Sequence, residues 1–267
     1  MITYSTVFKD VEAIRTVSPL VHNITNYVVM NNTANALLSI GASPVMAHAV
    51  EEVKDMASIA SSLVINMGTL SEKWVEAMII AGKTAFERKI PVIFDPVGVG
   101  ATEYRTKMAS KIITDCKPTV IRGNGSEIMA LTNANIKTKG VDSTMSTHSA
   151  LDSAKLLANE TGAIVVISGP EDFITDGSTT ISTKNGSDLM ARVTGMGCTA
   201  TAIIGAFTAV NSDYLEATAH AMAVMSIAGE ISADLSKGPG SMQINFIDQL
   251  YNLSEKDIEN RLKLSYE

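Results

Sequence analysis

Four short β-branched runs punctuate the chain, SLVIN (62–66), PVIFD (91–95), TVIR (119–122) and AIVVIS (163–168), each followed by a longer stretch with helical spacing of apolar residues. The runs are apolar throughout rather than alternating, which suits strands buried on both faces. Strand and helix taking turns predict a mainly parallel sheet between two helical layers. SPVMA (43–47), after a helix that closes near Gly41, adds another strand. From Phe173 the segments shorten around Asp176-Gly177 and Asn185-Gly186, both suited to hairpin turns, so an antiparallel sheet edge is expected there. After Val193 the pattern predicts helices alone, over 197–210, 213–236 and 242–262, with a break at KGPG (237–240). No linker, charge block or repeat divides the chain, and α/β domains of about 250 residues are common, so residues 1–267 read as one domain.

Composition narrows the function classes. Hydrophobic residues make up 46% of the 267, enough for a substantial core. Lys and Arg number 21 against 28 acidic residues, for a net charge of −7 and no basic run, which argues against nucleic acid as a partner. The opening MITYSTVFKDVEAIRT lacks the apolar core of a secretory signal, and no apolar run reaches the ~18 residues of a membrane span. Cys116 and Cys198 lie far apart and match no zinc spacing, so free thiols and a cytoplasmic location are expected.

Ligands of open parallel sheets sit beyond the carboxyl ends of the strands. The unusual residues collect at those ends: DPVGVGAT after 91–95, RGNGSE after 119–122, SGPED after 163–168, and TGMGC at the end of the edge strand. Such loops are also ordinary turn chemistry, singly if less easily together. Asp95 and Glu127 suit a Mg2+ site, since that ion takes oxygen ligands and keeps several waters. They equally suit a helix cap and a first-turn acid. Arg122 can pair with phosphate through its planar fork, or with one of these acids. Gly195 and Gly197 let backbone approach a ligand, and the first amides of the helix starting about Cys198 form an anion site.

Two false leads fall on context. Gly195-x-Gly197-x-x-Ala200 fits a dinucleotide fingerprint, and would make the protein an NAD-binding dehydrogenase, but helix follows helix after it instead of a parallel strand. AGKT (81–84) resembles a P-loop tail, yet its required first glycine falls at Ala77 inside an amphipathic helix.

HNITNYVVMNNTANALLSIGASPVMA (22–47), INMGTL (65–70), DPVGVGAT (95–102), IRGNGSEI (121–128), KGVDS (139–143) and VTGMGCTATA (193–202) closely resemble the hydroxyethylthiazole kinases of the ribokinase-like superfamily, over about residues 20–240. The resemblance implies a ribokinase-like α/β/α fold without a β lid. It implies ATP-dependent phosphorylation, with Mg2+, of the alcohol of 4-methyl-5-(2-hydroxyethyl)thiazole in thiamine biosynthesis. Asn124-x-x-Glu127 looks like the element that organises Mg2+ and phosphate, with Asp95 close by. Arg122, Ser168 and Asn124 look like nucleotide contacts, and Met46, Gly195, Asn26 and Val28 like thiazole contacts. TGMGC resembles the superfamily's anion-hole loop, with Cys198 where many members carry an aspartate base, so that Gly195, Gly197 and Cys198 form the catalytic group. The resemblance also implies a homotrimer with the thiazole at a subunit boundary.

Phosphoryl transfer through a loose transition state needs positioning and charge stabilisation more than a strong base. Cys198 is therefore expected to position the substrate hydroxyl or act as a weak base. Its pKa is expected to be lowered from about 8.5 by the helix N-terminus, with the triphosphate charge opposing. A small buried residue packing the helix start is the alternative. Asn31 and Asn35 share a helix face at i, i+4 and are expected at a sheet edge, at another subunit or in solvent. The rival activities are a hydroxymethylpyrimidine or pyridoxal kinase, and a nucleotide-binding regulator that has lost catalysis.

Overall fold

In the computed structural model, which describes residues 2–138 and 149–267, the sequence runs α1 (Tyr4–Val17), β1 (Leu20–Ile24), α2 (Met30–Ile40), β2 (Ser43–Val45), α3 (Val53–Ile59), β3 (Ser62–Asn66), α4 (Glu72–Arg88), β4 (Val92–Asp95), α5 (Glu103–Cys116), β5 (Val120–Asn124) and α6 (Gly125–Thr138). It continues α7 (Ala150–Thr161), β6 (Ile164–Ser168), β7 (Asp172–Thr175), β8 (Thr180–Thr183), a 3-10 turn (Asp188–Arg192), α8 (Met196–Thr208), α9 (Tyr214–Asp234), α10 (Pro239–Asn252), α11 (Glu255–Arg261) and β9 (Leu264–Tyr266). The motif KGVDS (139–143) lies outside the described residues. One sheet holds all nine described strands in the order β2-β1-β3-β4-β5-β6-β7-β8-β9, parallel through β6 and antiparallel beyond it.

The pleat sorts each strand's side chains between two cores. Val21, Val64, Ile93, Val120 and Val166 face α1, α2 and α8 to α11. Ile24, Leu63, Ile65, Phe94, Ile121, Val165 and Ile167 face α3 to α7. Helix starts follow local chemistry: Ser71 accepts from the Trp74 N–H ahead of α4, and Thr102 from the Arg105 N–H ahead of α5. AGKT sits within α4, and α8 is followed by α9 rather than a strand, which agrees with rejecting both nucleotide fingerprints.

Several expectations need correction. β1 escapes the apolar-run criterion because His22 and Asn23 interrupt LVHNI, yet both are buried; His22 Nε2 meets the Ala47 carbonyl at 2.8 Å, and Asn23 donates to Val21 O. The Asp176-Gly177 turn does join β7 to β8, whereas Asn185-Gly186 makes no hairpin. Asn185 instead donates to Arg261 O and Glu230, drawing the chain off the sheet into the 3-10 turn. TGMGC therefore follows that turn and not an edge strand. A strand does exist after Val193: β9 pairs with β8, too short at three residues to display a period. The helix expected over 242–262 starts at Pro239 and divides at Ser254, which caps α11.

Candidate active site

Register brings the strand ends into line. Asn66 stands opposite Asp95 across β3 and β4, and Asn124 opposite Ser168 across β5 and β6. The start of α8 lies over this rim. Gly195 caps it with φ of +85°, and a Cβ there would stand 2.7 Å from Val29 Cγ1, so only glycine suits the turn and its close neighbour. The first intrahelical bond of α8 runs from the Thr199 N–H to Gly195 O at 2.8 Å. The amides of Met196, Gly197 and Cys198 thus have no helical partner, and no side chain caps them. The helix begins at Met196, one residue before the expected range, and Cys198 falls within its first turn.

Beneath that turn lies Arg122. A Cβ on Gly197 would come 2.7 Å from Arg122 Nη1, so the glycine lets backbone and guanidinium close up. Arg122 Nη2 donates to Ser168 Oγ at 2.6 Å, and Nη1 lies 3.9 Å from Asp95 Oδ2. Arg122 therefore lies against the start of α8 and also pairs with an acid, the second of the two roles its sequence position allowed. Arg122, Ser168 and Gly197 line a cavity of about 680 Å3 whose far wall includes Asp172, Met190, Met222 and Met225.

Asp95 is not a helix cap, since Thr102 caps the next helix. Its Oδ2 accepts from Asn66 Nδ2 at 2.9 Å and from Thr201 Oγ1 at 2.8 Å. Burial raises its pKa to about 6 against the pull of Arg122 and Thr201. Glu127 is a first-turn acid of α6, and its two oxygens accept from the Gly98 and Asn124 amides at 2.8 and 2.9 Å. Asn124 Oδ1 returns the contact by accepting from the Glu127 N–H.

The segment after β1 reaches the same rim. Asn26 Nδ2 donates to Asn66 Oδ1 at 2.9 Å and reaches Cys198 Sγ at 3.5 Å. Val28 is 64% exposed beside it. Met46 follows the edge strand β2, two positions along the sheet from β3. The expected lowering of the Cys198 pKa is corrected: burial and then the Asp95 charge push the thiol up to about 11, outweighing its hydrogen bonds. Asn31 and Asn35 meet each other at 3.1 Å in exposed positions and not at a sheet edge, while Asn32 beside them accepts from Gln243 of α10.

Asn66, Thr201 and Asp172 escaped the sequence reading. Asn66 ends the run SLVIN and Thr201 follows Cys198 by three residues on α8, so position at a strand end and helical spacing were the available signals.

The family model described as the hydroxyethylthiazole kinase family matches residues 11–256. The chain belongs to the hydroxyethylthiazole kinase family. It is 54% identical over 264 residues to a hydroxyethylthiazole kinase of Syntrophus aciditrophicus, covering 98% of each chain. Among solved structures, a hydroxyethylthiazole kinase protein of Pyrococcus horikoshii matches with a TM-score of 0.91 and 39% identity, over 98% of this chain and 99% of that one. A ribokinase-like superfamily protein of Enterococcus faecalis, 15% identical, shares the fold at a TM-score of 0.65 over 90% of this chain and 87% of its own. The thiazole kinase fold is thus the ribokinase-like one, an open mixed sheet between helices.

Proposed function

We propose that this member of the hydroxyethylthiazole kinase family transfers the γ-phosphoryl group of ATP to the side-chain alcohol of 4-methyl-5-(2-hydroxyethyl)thiazole, in thiamine biosynthesis. The observation that carries the reading is the uncapped start of α8, open beside Arg122 and Ser168 on a cavity large enough for a nucleotide. The amides of Met196, Gly197 and Cys198 receive the moving phosphoryl, where fixed dipoles stabilise charge without reorganising. Arg122, held by Ser168, takes the nucleotide phosphates, with Asn124 at the neighbouring strand end.

The donor set fits Mg2+. Among the described residues Asp95 Oδ1 is buried without a partner, and Glu127 keeps lone pairs beyond its two amide contacts. No cluster of three or more His, Cys, Asp or Glu occurs among the described residues, and Mg2+ is commonly held by one or two carboxylates with phosphate oxygens and water. Asp95 and Glu127 would hold the ion, and bound there it would neutralise charge on the phosphates. Cys198, a thiol at neutral pH, orients the acceptor hydroxyl rather than deprotonating it. Asn26, Val28, Met46 and Gly195 surround the thiazole.

We further propose a cytoplasmic homotrimer with the thiazole at a subunit boundary, which accounts for Tyr27 and Val28 standing 63% and 64% exposed at the rim. ATP consumption measured with the thiazole alcohol, hydroxymethylpyrimidine and pyridoxal tests the assignment. Turnover with the first, abolished by chelating Mg2+, is expected; preference for either other alcohol, or none at all, refutes it.

A further inference from the structure

We infer that Asn66 is a positioning residue for the transfer, its amide joining the acceptor side of the site to the phosphoryl side and setting the direction of each hydrogen bond between them. The inference rests on the proposed function. Asn66 ends β3 and is 1% exposed, so it serves no contact with solvent. Its Oδ1 accepts from the Gly68 N–H and from Asn26 Nδ2, both at 2.9 Å, while its Nδ2 donates to Asp95 Oδ2 at 2.9 Å. Turning the amide over would set oxygen against carboxylate and NH2 against two donors, so one orientation is enforced.

Asn26 is locked in the same way. Its Oδ1 accepts from the Val28 N–H at 3.1 Å, and its Nδ2 faces Asn66 and the Cys198 sulfur. The chain therefore delivers a donor to Sγ, and among the described residues nothing accepts the Cys198 S–H. That hydrogen is left to meet an acceptor such as the substrate hydroxyl oxygen. At the other end, Asn66 and Thr201 occupy Asp95 Oδ2 and leave Oδ1 free. A single side chain thereby aligns a thiol donor and a carboxylate on opposite sides of the reacting atoms.

The simpler role is a strand-end cap that satisfies the Gly68 amide, and two variants separate the roles. Asn66→Ser keeps an oxygen for that amide but cannot span to both Asn26 and Asp95; Asn66→Ala removes everything. As a bridge, both variants lose about tenfold or more in kcat, with KM for ATP within about twofold, since the Arg122 and Ser168 contacts are untouched. Adding Asn26→Ala to Asn66→Ala costs little more, because Asn26 is aligned through Asn66. Recovery of activity in Asn66→Ser, a loss that only tracks the unfolded fraction, or fully additive losses would overturn the inference.

A readout without turnover keeps the two readings apart. The Asn26 amide at Cys198 Sγ, which Asn66 orients, pulls the thiol down against burial, and Cys116 is fully buried. At a fixed, mildly alkaline pH, Asn66→Ser is expected to be alkylated at Cys198 by iodoacetamide more slowly than wild type. Equal or faster alkylation counts against Asn66. A wild type that phosphorylates no thiazole alcohol defeats the functional reading alone, and the alkylation comparison still decides this one.

Discussion

At the scale of single residues, burial decides which groups are charged. Cys198 sits in the first turn of a helix, where a dipole favours the thiolate, yet desolvation and Asp95 leave it a thiol. A group that only orients its substrate tolerates a hydroxyl in its place. Cys198→Ser is expected to lower kcat moderately, whereas Asp95→Ala or Glu127→Ala abolishes Mg2+-dependent turnover; steady-state assays that find equal collapse in all three contradict that division. Asp172 makes a separate prediction. Burial raises its pKa from 3.8 to about 6, although its carboxylate accepts from the Gly169 amide and lies 3.4 Å from Ser226 Oγ. Between those two values the folded protein binds more protons than the unfolded chain, so stability falls as pH rises through the window. Asp172→Asn removes this penalty while keeping an acceptor for Gly169. Its Tm is expected to exceed that of wild type near neutral pH, and the gap to shrink as the pH is lowered below about 6. A gap that does not change with pH contradicts the assignment.

At the scale of elements, the start of α8 depends on two missing side chains. Gly195→Ala would hold alanine at a φ of +85° with its methyl against Val29, and such backbone strain costs about 1–3 kcal/mol, readable as an earlier midpoint in urea unfolding. Gly197→Ala keeps a helical conformation but displaces Arg122, so the expected result is a KM for ATP raised about tenfold with little loss of stability. Reversal of these two effects would mean that Arg122 does not receive the nucleotide. The stretch AGKT offers a control. Lys83 lies within α4, so Lys83→Ala is expected to leave KM for ATP unchanged in the same assay.

At the scale of the whole molecule, the proposed trimer accounts for apolar side chains left in water. Tyr27, Val28 and Leu38, in and before α2, are each about 60% exposed or more, as is Ile244 on α10, the helix whose Gln243 meets Asn32. Sedimentation equilibrium is expected to give three times the mass of the chain, with turnover falling on dilution to the monomer; a fully active monomer would remove the shared site. Asn26 and Cys198 already meet within one chain. A neighbouring subunit would therefore enclose the thiazole pocket rather than assemble its polar contacts.

Much of this architecture was legible from local pattern. Long apolar runs such as SLVIN and AIVVIS identified β3 and β6 because strands buried on both faces need no polar alternation. The same rule hid β1, whose His22 finds its partner, the Ala47 carbonyl, only after β2 and its following loop close beside it. Glycines at 195 and 197 announced a tight turn into a helix with close neighbours, since positive φ and close backbone approach can be read directly from residue type. Residue type could not reveal that Asn66 bridges Asn26 to Asp95, because those two lie 40 and 29 residues from it and meet it only through sheet register. Nor could it set the charge state of Cys198. Local sequence determined where the helices, most of the strands and the glycine turn into α8 would form, because propensity and burial pattern act over a few residues. Tertiary packing alone decided which polar groups share a desolvated rim, since desolvation and hydrogen-bond geometry depend on every segment that closes around them.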